Sequence, residues 1–418
     1  MTFPTPCGGR LRADRHALFT AAQNRFTKHS RCSTPLETGS THGACILGGM
    51  SDGPLDGFVV GVTADRRASE QAELLRRRGA DVVCGPSIET AYLANDDALR
   101  LATQVLIDDP PDYLAATTGI GIRAWFEAAQ VWGLGDTLLD ALAATRIVAR
   151  GPKAAGAVQA AGLTVWRSAA NEQMDQLLSH LLAEPLAGAR VAVQLYGMPA
   201  PVVGDALADA GAAVIEVPVY QWRTPEDPAP ALRLAQAAIE GRIHAVTFTA
   251  APAVTNFFTI AAGAGIAGAL LDAFNRKAVV AACVGPVCAR GATDAGIVAP
   301  LVPPVGRLGL MVRVLSEHLA GERRTVAMAG VDVVLQGLVA MVGASRVRLN
   351  SRERALLDAL ATRPRTVVSR PALVREMWPS NGADPHAVEV TVARLRPRLG
   401  PAGVALVAVP GRGYRLEP

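Results

Sequence analysis

Residues 113–126 read YLAATTGIGIRAWF, and residues 245–258 read AVTFTAAPAVTNFF. At an offset of 132 positions, one short apolar run falls on another, Thr117 falls on Thr249, and Trp125-Phe126 falls on Phe257-Phe258. In each copy the run ends in a turn of Thr, Gly or Pro and gives way to a stretch of helical period. That succession is strand, loop, helix.

Working outward, the same offset pairs Val59 to Thr63 with Val191 to Leu195, Gly79 with Gly211 and Pro86 with Pro218. An offset of 134 pairs Gly151-Pro152 with Gly285-Pro286 and Gly162 with Gly296. The apolar runs FVVGV, YLAAT, RIVAR, VAVQL, AVTFT and VVAACV therefore head six blocks, two copies of a three-block unit, between about 56 and 300. Continuous apolar strands alternating with helices predict parallel strands covered on both faces, an α/β doubly wound fold. Six units divide naturally into two lobes.

In such sheets ligands sit at the carboxyl ends of the strands, where helix N-termini offer unpaired N–H groups and partial positive charge. Thr63, Thr117-Thr118-Gly119, Gly151-Pro152-Lys153, Thr249 and Gly285-Pro286 all fall at these ends and suit carboxylates or phosphates. Ordinary turn and capping chemistry is the competing account of any single turn.

A chain of 418 residues that is half apolar and 19% charged is too long for one domain and too apolar for disorder. Its six Cys include no CxxC and no Cys/His cluster at zinc spacing, which argues against a disulfide framework or a structural metal and favours a reducing, cytoplasmic setting. From Arg346 onward there are 13 Arg and no Lys against 6 acids, whereas the rest holds 28 bases against 31 acids. A near-neutral body thus carries a basic tail domain. The longest uncharged run, Ala245 to Leu271, is diluted by Thr, Asn, Pro and Gly, and reads as strand, turn and helix rather than a membrane span. Residues 1–55 are polar, with three of the six Cys and no apolar period until the first strand. The expectation there is disorder or an over-extended gene start.

The body resembles the uroporphyrinogen-III synthase family over about 56–320, through its block order and through GADVVCGPSIE, VTFTAAPAV and CVGPVCARGA. The resemblance implies two flavodoxin-like lobes joined by a two-stranded ladder. One lobe would take about 56–86 and 225–320, the other about 97–215, and the ladder would include Pro218 to Trp222. Members of the family close the linear tetrapyrrole hydroxymethylbilane while inverting its last ring, without a cofactor. In VPVYQWR, Tyr220 matches the family's candidate acid, a phenol able to protonate the leaving hydroxyl. Departures run against turnover: Ala64 stands where the family has Arg, Ala250 where it has Ser, and Ala154 and Cys288 where it has Thr. A cleft that outlasts catalysis is expected.

From about 327 the pattern changes to short strands (VDVVLQ, LVAMV, VRL), three helices and a hairpin. Asn350 with Glu353 signals one helix start, Ser369 a second, and Asp384-Pro385 a third, whose Val388, Val392, Leu395 and Leu399 keep one face apolar. VSRPALVREMW, VEVTVARLRPRLG and VPGRGYRL resemble, in order and spacing, the OmpR/PhoB-type winged helix, with Pro397 a departure expected to loosen the last helical turn. The resemblance places helix 385–398 in the major groove of double-stranded DNA and the Arg412 wing in the minor groove. Thr391, Arg394, His386 and Arg398 become base or phosphate contacts. It also implies that the Pro379 to Ala383 loop meets RNA polymerase, and it is compatible with a homodimer on DNA. No receiver domain precedes the winged helix. The reading is a one-component regulator whose body senses a tetrapyrrole or similar polyanion; a bifunctional, DNA-binding synthase is the alternative.

Overall fold

The computed structural model describes residues 53–94, 97–197, 201–378 and 384–418. The expectations for the first 52 residues and for the 379–383 loop lie outside the described residues. The chain opens one lobe with β1 (Val59–Val62), α1 (Ala68–Arg76) and β2 (Asp81–Cys84), then crosses on β3 (Glu89–Tyr92). The second lobe is contiguous: α2 (Asp97–Asp108), β4 (Tyr113–Ala116), α3 (Gly119–Val131), α4 (Gly135–Leu142), β5 (Arg146–Ala149) and α5 (Pro152–Ala160), followed by β6 (Val165–Ser168), α6 (Met174–Leu182), β7 (Arg190–Gln194), α7 (Pro201–Asp209) and β8 (Ala213–Val217). The chain returns on β9 (Tyr220–Arg223). It completes the first lobe with α8 (Ala229–Ile239), β10 (Ala245–Phe248), α9 (Ala251–Gly263), α10 (Ala267–Asn275), β11 (Val280–Cys283), α11 (Pro286–Asp294) and α12 (Leu308–Gly321).

All six expected apolar runs are strands. Every residue of β1, β4 and β10 is buried, as parallel strands sandwiched between helices must be. The sheets run β11-β10-β1-β2 and β6-β5-β4-β7-β8, parallel throughout. A single parallel bridge from Ala282 to Leu301 extends the first sheet beyond β11, which gives both lobes one strand order. In each, the winding reverses direction at one place, between β4 and β7 in the second lobe and between β10 and β1 in the first. β3 and β9 pair antiparallel as the joining ladder, with Tyr92 opposite Tyr220. The uncharged run from Ala245 is β10, α9 and the start of α10. No helix among the described residues is long and apolar enough to cross a membrane.

The last domain begins with an antiparallel meander, β12 (Arg324–Met328), β13 (Val331–Gln336), β14 (Val339–Val342) and β15 (Ser345–Arg348). Three helices follow, α13 (Ser351–Thr362), α14 (Arg370–Met377) and α15 (His386–Arg398), and then the hairpin β16 (Leu406–Val409) and β17 (Gly413–Leu416). The expected helix starts are present. Asn350 and Glu353 form a reciprocal capping box, Ser369 Oγ accepts from Ala372 N–H, and Asp384 Oδ1 accepts from His386 N–H at 2.8 Å. Pro397 does not shorten α15, which runs through Arg398, and the cap N–H of Leu399 still bonds Leu395 O. Val388, Val392, Leu395 and Leu399 point into a core shared with the meander.

This domain is docked on the first lobe. Leu338 N–H donates to Gly57 O at 2.7 Å, Gln336 Nε2 donates to Asp56 O at 3.0 Å, Arg346 pairs with Asp56, and Arg348 pairs with Asp81 at 2.5 Å. The backbones touch so closely that a Cβ on Gly337 would stand 2.3 Å from Gly57 O. Gly57 precedes β1 and Asp81 opens β2, so the contact lies at the amino ends of the strands, away from the turns at their carboxyl ends.

Candidate ligand cleft and nucleic-acid interface

The reversal point between β4 and β7 is built around one side chain. Gln194, fully buried at the end of β7, accepts from Thr118 N–H at 2.9 Å and from Thr117 Oγ1 at 3.0 Å through Oε1, and its amide Nε2 donates to Thr118 Oγ1 at 3.3 Å. Thr118 is the N-cap of α3, its hydroxyl oxygen accepting from Gly121 N–H. A Cβ on Gly121 would meet Gln194 Nε2 at 2.2 Å, so glycine is what admits the glutamine. Against the same hydroxyl lies Tyr220, 2% exposed on the ladder, whose phenol donates to Thr118 Oγ1 at 3.5 Å. Burial raises the phenol's pKa; the Thr118 contact and the positive Arg66 and Arg150 oppose the shift.

The N-termini of α3 and α5 are pressed together, since a Cβ on Gly119 would stand 2.1 Å from Lys153 O. Between them opens a cleft of about 430 Å³, lined by Thr117, Thr118, Gly119, Gly151 and Lys153 together with Arg66, Arg123, Arg150 and Glu172. Five of the expected ligand residues thus meet in one place. Three do not. Thr63 is fully buried and donates its hydroxyl to Thr247 O at 2.8 Å, which makes it a clamp between β1 and β10 rather than a ligand contact. Thr249 and Gly285 belong to the other lobe's turns and do not line this cleft; there Ala250 gives α9 no side-chain cap, and Cys288 turns inward toward Phe248 O.

Arg66, Arg123 and Arg150 are the residues that sequence reasoning missed. Arg66 follows the first strand two places beyond Ala64, so a guanidinium reaches the cleft although the expected position lacks one. Arg150 ends the run RIVAR, directly after β5. Its guanidinium lies 5.7 Å from the centre of the Tyr196 ring, and burial lowers its pKa, with Tyr220, Tyr196 and Glu172 acting the other way. None of the four cations forms an ion pair with a carboxylate among the described residues. The cleft can neutralise several negative charges and present helix N–H groups to them.

In the winged helix, Arg394 and Arg412 are exposed and make no side-chain hydrogen bond or ion pair among the described residues, as a DNA-facing role requires. His386 Nδ1 is 3.0 Å from Glu389 Oε2, and Thr391 Oγ1 donates to Ala387 O at 2.8 Å, which leaves its lone pairs available. Arg398 is placed differently from expectation: it pairs with buried Glu353 at 2.5 Å and donates to Arg348 O, so it braces α15 against α13 and β15.

These features define a bilobed, cofactor-sized anion cleft joined to a winged-helix module. The family model described as "Uroporphyrinogen-III synthase HemD" matches residues 69–313, and the chain belongs to the uroporphyrinogen-III synthase family. A second model, "Transcriptional regulatory protein, C terminal", matches residues 344–416. A mutant uroporphyrinogen III synthase from the extremely thermophilic bacterium Thermus thermophilus is similar in structure, with 31% identity, 63% of this chain and 99% of that chain covered, and a TM-score of 0.51. The Bacillus subtilis protein YjjA is 29% identical over 262 residues, which is 63% of this chain and 96% of its own length. Both a synthase-family body and an OmpR/PhoB-type DNA-binding winged helix are therefore present in one chain.

Proposed function

We propose that the protein is a cytoplasmic transcription regulator whose body binds a carboxylate-rich tetrapyrrole and whose winged helix binds double-stranded DNA. The observation that carries this reading is the set of four cations without carboxylate partners converging on the Thr117–Gly119 and Gly151–Lys153 turns. Uncompensated charges gathered in one cleft are costly, and a polyanion relieves the cost. The Asp56, Gly57 and Asp81 contacts tie the winged helix to the first lobe, which also supplies Arg66, while the other cations come from the second. A ligand held between Arg66 and the second lobe therefore shifts the lobe that bears the DNA-binding domain, and the two affinities change by one common factor. Titrating operator DNA with and without uroporphyrin, and uroporphyrin with and without DNA, tests this; two unequal factors, or no change in either, would refute the coupling.

A working synthase is the second reading, favoured by Tyr220, whose buried, protonated phenol sits beside Thr118 at the edge of the cleft. Incubation with hydroxymethylbilane, scoring the III against the I isomer in wild type and Tyr220→Phe, separates the two. Formation of the III isomer that is lost in the variant establishes the enzyme.

A further inference from the structure

The cationic cleft contains one carboxylate. Glu172, in the loop between β6 and α6, shares the lining with Arg66, Arg123, Arg150 and Lys153. Its φ of 58° is in the left-handed region, which a non-glycine residue adopts only under constraint. Its neighbours supply that constraint: Asn171 N–H donates to Gln176 Oε1 and Gln173 N–H donates to Asn171 Oδ1, both at 2.9 Å. Gly151 leaves it room, since a Cβ there would stand 3.0 Å from Glu172 Cγ. With four cations lining the same cleft, the Glu172 carboxylate still makes no ion pair or hydrogen bond among the described residues.

An unspent acid in such a place weakens the hold on any ligand that offers negative charge alone. It suits one that brings hydrogen-bond donors as well. A tetrapyrrole carries its carboxylates on the periphery and its pyrrole N–H groups at the centre, so the cations can take the first while Glu172 accepts from the second. We infer that Glu172 is the acceptor for the ligand's pyrrole N–H groups and makes the cleft selective for metal-free tetrapyrroles over their metal complexes. This rests on the tetrapyrrole reading above. A metal complex has surrendered those protons, so the signal is a metal-free precursor rather than a finished metalloporphyrin.

The test uses uroporphyrin III and its nickel(II) complex, which share eight carboxylates and differ in their central N–H groups, the square-planar metal having little call on an axial ligand. Binding to the full chain is followed by fluorescence quenching. The wild type should prefer the metal-free form by about tenfold, and Glu172→Gln should bring that ratio close to one. Glu172 is exposed, so the variant should fold. A ratio unchanged by the substitution overturns the assignment and leaves Glu172 a counter-ion, even if both porphyrins bind. Failure of both porphyrins to bind the wild type overturns the tetrapyrrole reading and this inference with it.

Discussion

Arg150→Met should make the empty protein more stable and its grip on a polyanion weaker. The guanidinium is largely withdrawn from water, has no carboxylate partner, and titrates below its ordinary value because of burial. A base whose folded pKa lies below its unfolded pKa costs stability at every pH below the folded value, which for an arginine covers the whole working range. Methionine of similar length removes that cost, a gain of about 1–2 kcal/mol. Losing the contact at 5.7 Å with the Tyr196 ring returns about 0.5–1 kcal/mol of it. The net expectation is about 0.5–1 kcal/mol of added stability, or roughly 1–3 °C in Tm. Binding moves the other way, because a lost charged hydrogen bond costs about 1.5–3 kcal/mol, roughly 10- to 150-fold in Kd. Circular dichroism melts give the first quantity. Quenching of Trp222, whose ring lies 6.1 Å from that of Tyr220, gives the second. A lower Tm with an unchanged Kd would show that Arg150 is a structural brace, and the account of the cleft would fail.

Acid should weaken the fold through His244, whose pKa is lowered from 6.5 to about 4 by burial first and by Arg354 second, while Val59 N–H donates to its Nδ1. Only the unfolded chain takes up the proton between those values, so about 3 kcal/mol should be lost as pH falls from 6.5 to 4, and His244→Gln should flatten the melting curve's dependence on pH. Arg398→Ala should lower stability by about 1–3 kcal/mol by stranding buried Glu353, whereas Arg394→Ala should leave Tm alone and weaken DNA binding by a similar amount. Parallel melts and DNA titrations distinguish them, and a reversal of the two effects would contradict the placement of both side chains. Asp56→Asn with Asp81→Asn should keep DNA affinity within about threefold and reduce the ligand's effect on it, because the exposed pairs are weak singly but hold the domain in register. An undiminished ligand effect in that double variant would move the coupling elsewhere.

The strands and their turns were legible because buried parallel strands are apolar without interruption, and because the 132-residue repeat shows each of them twice. β12 escaped notice for the opposite reason: it is an edge strand, RTVAM, with exposed residues alternating along it. In the cleft, Thr117, Thr118, Gly119, Gly151 and Lys153 could be read because turn chemistry is local. Arg66 and Arg150 could not, since what makes them functional is a shared space between segments distant in sequence. Arg398 shows the same limit from the other side: a basic residue near the end of a recognition helix looks DNA-facing until a partner 45 residues away, Glu353, is seen to hold it.

The interrupted first lobe imposes an order on synthesis. β1 gains β2 as soon as it leaves the ribosome, but its other neighbour, β10, follows only after the entire second lobe, with Val59 and its partner His244 separated by 185 positions. At bacterial elongation speeds that interval is roughly 10–40 s, during which two short strands have one open edge and no covering helices from α8 onward. The second lobe, being contiguous, can complete itself in that time and present the ladder strand β9 as the return path. The winged helix, emerging last, docks on Asp56, Gly57 and Asp81, among the first described residues to be made. Its docking therefore requires the oldest part of the nascent chain to have been kept from aggregation until the newest arrives.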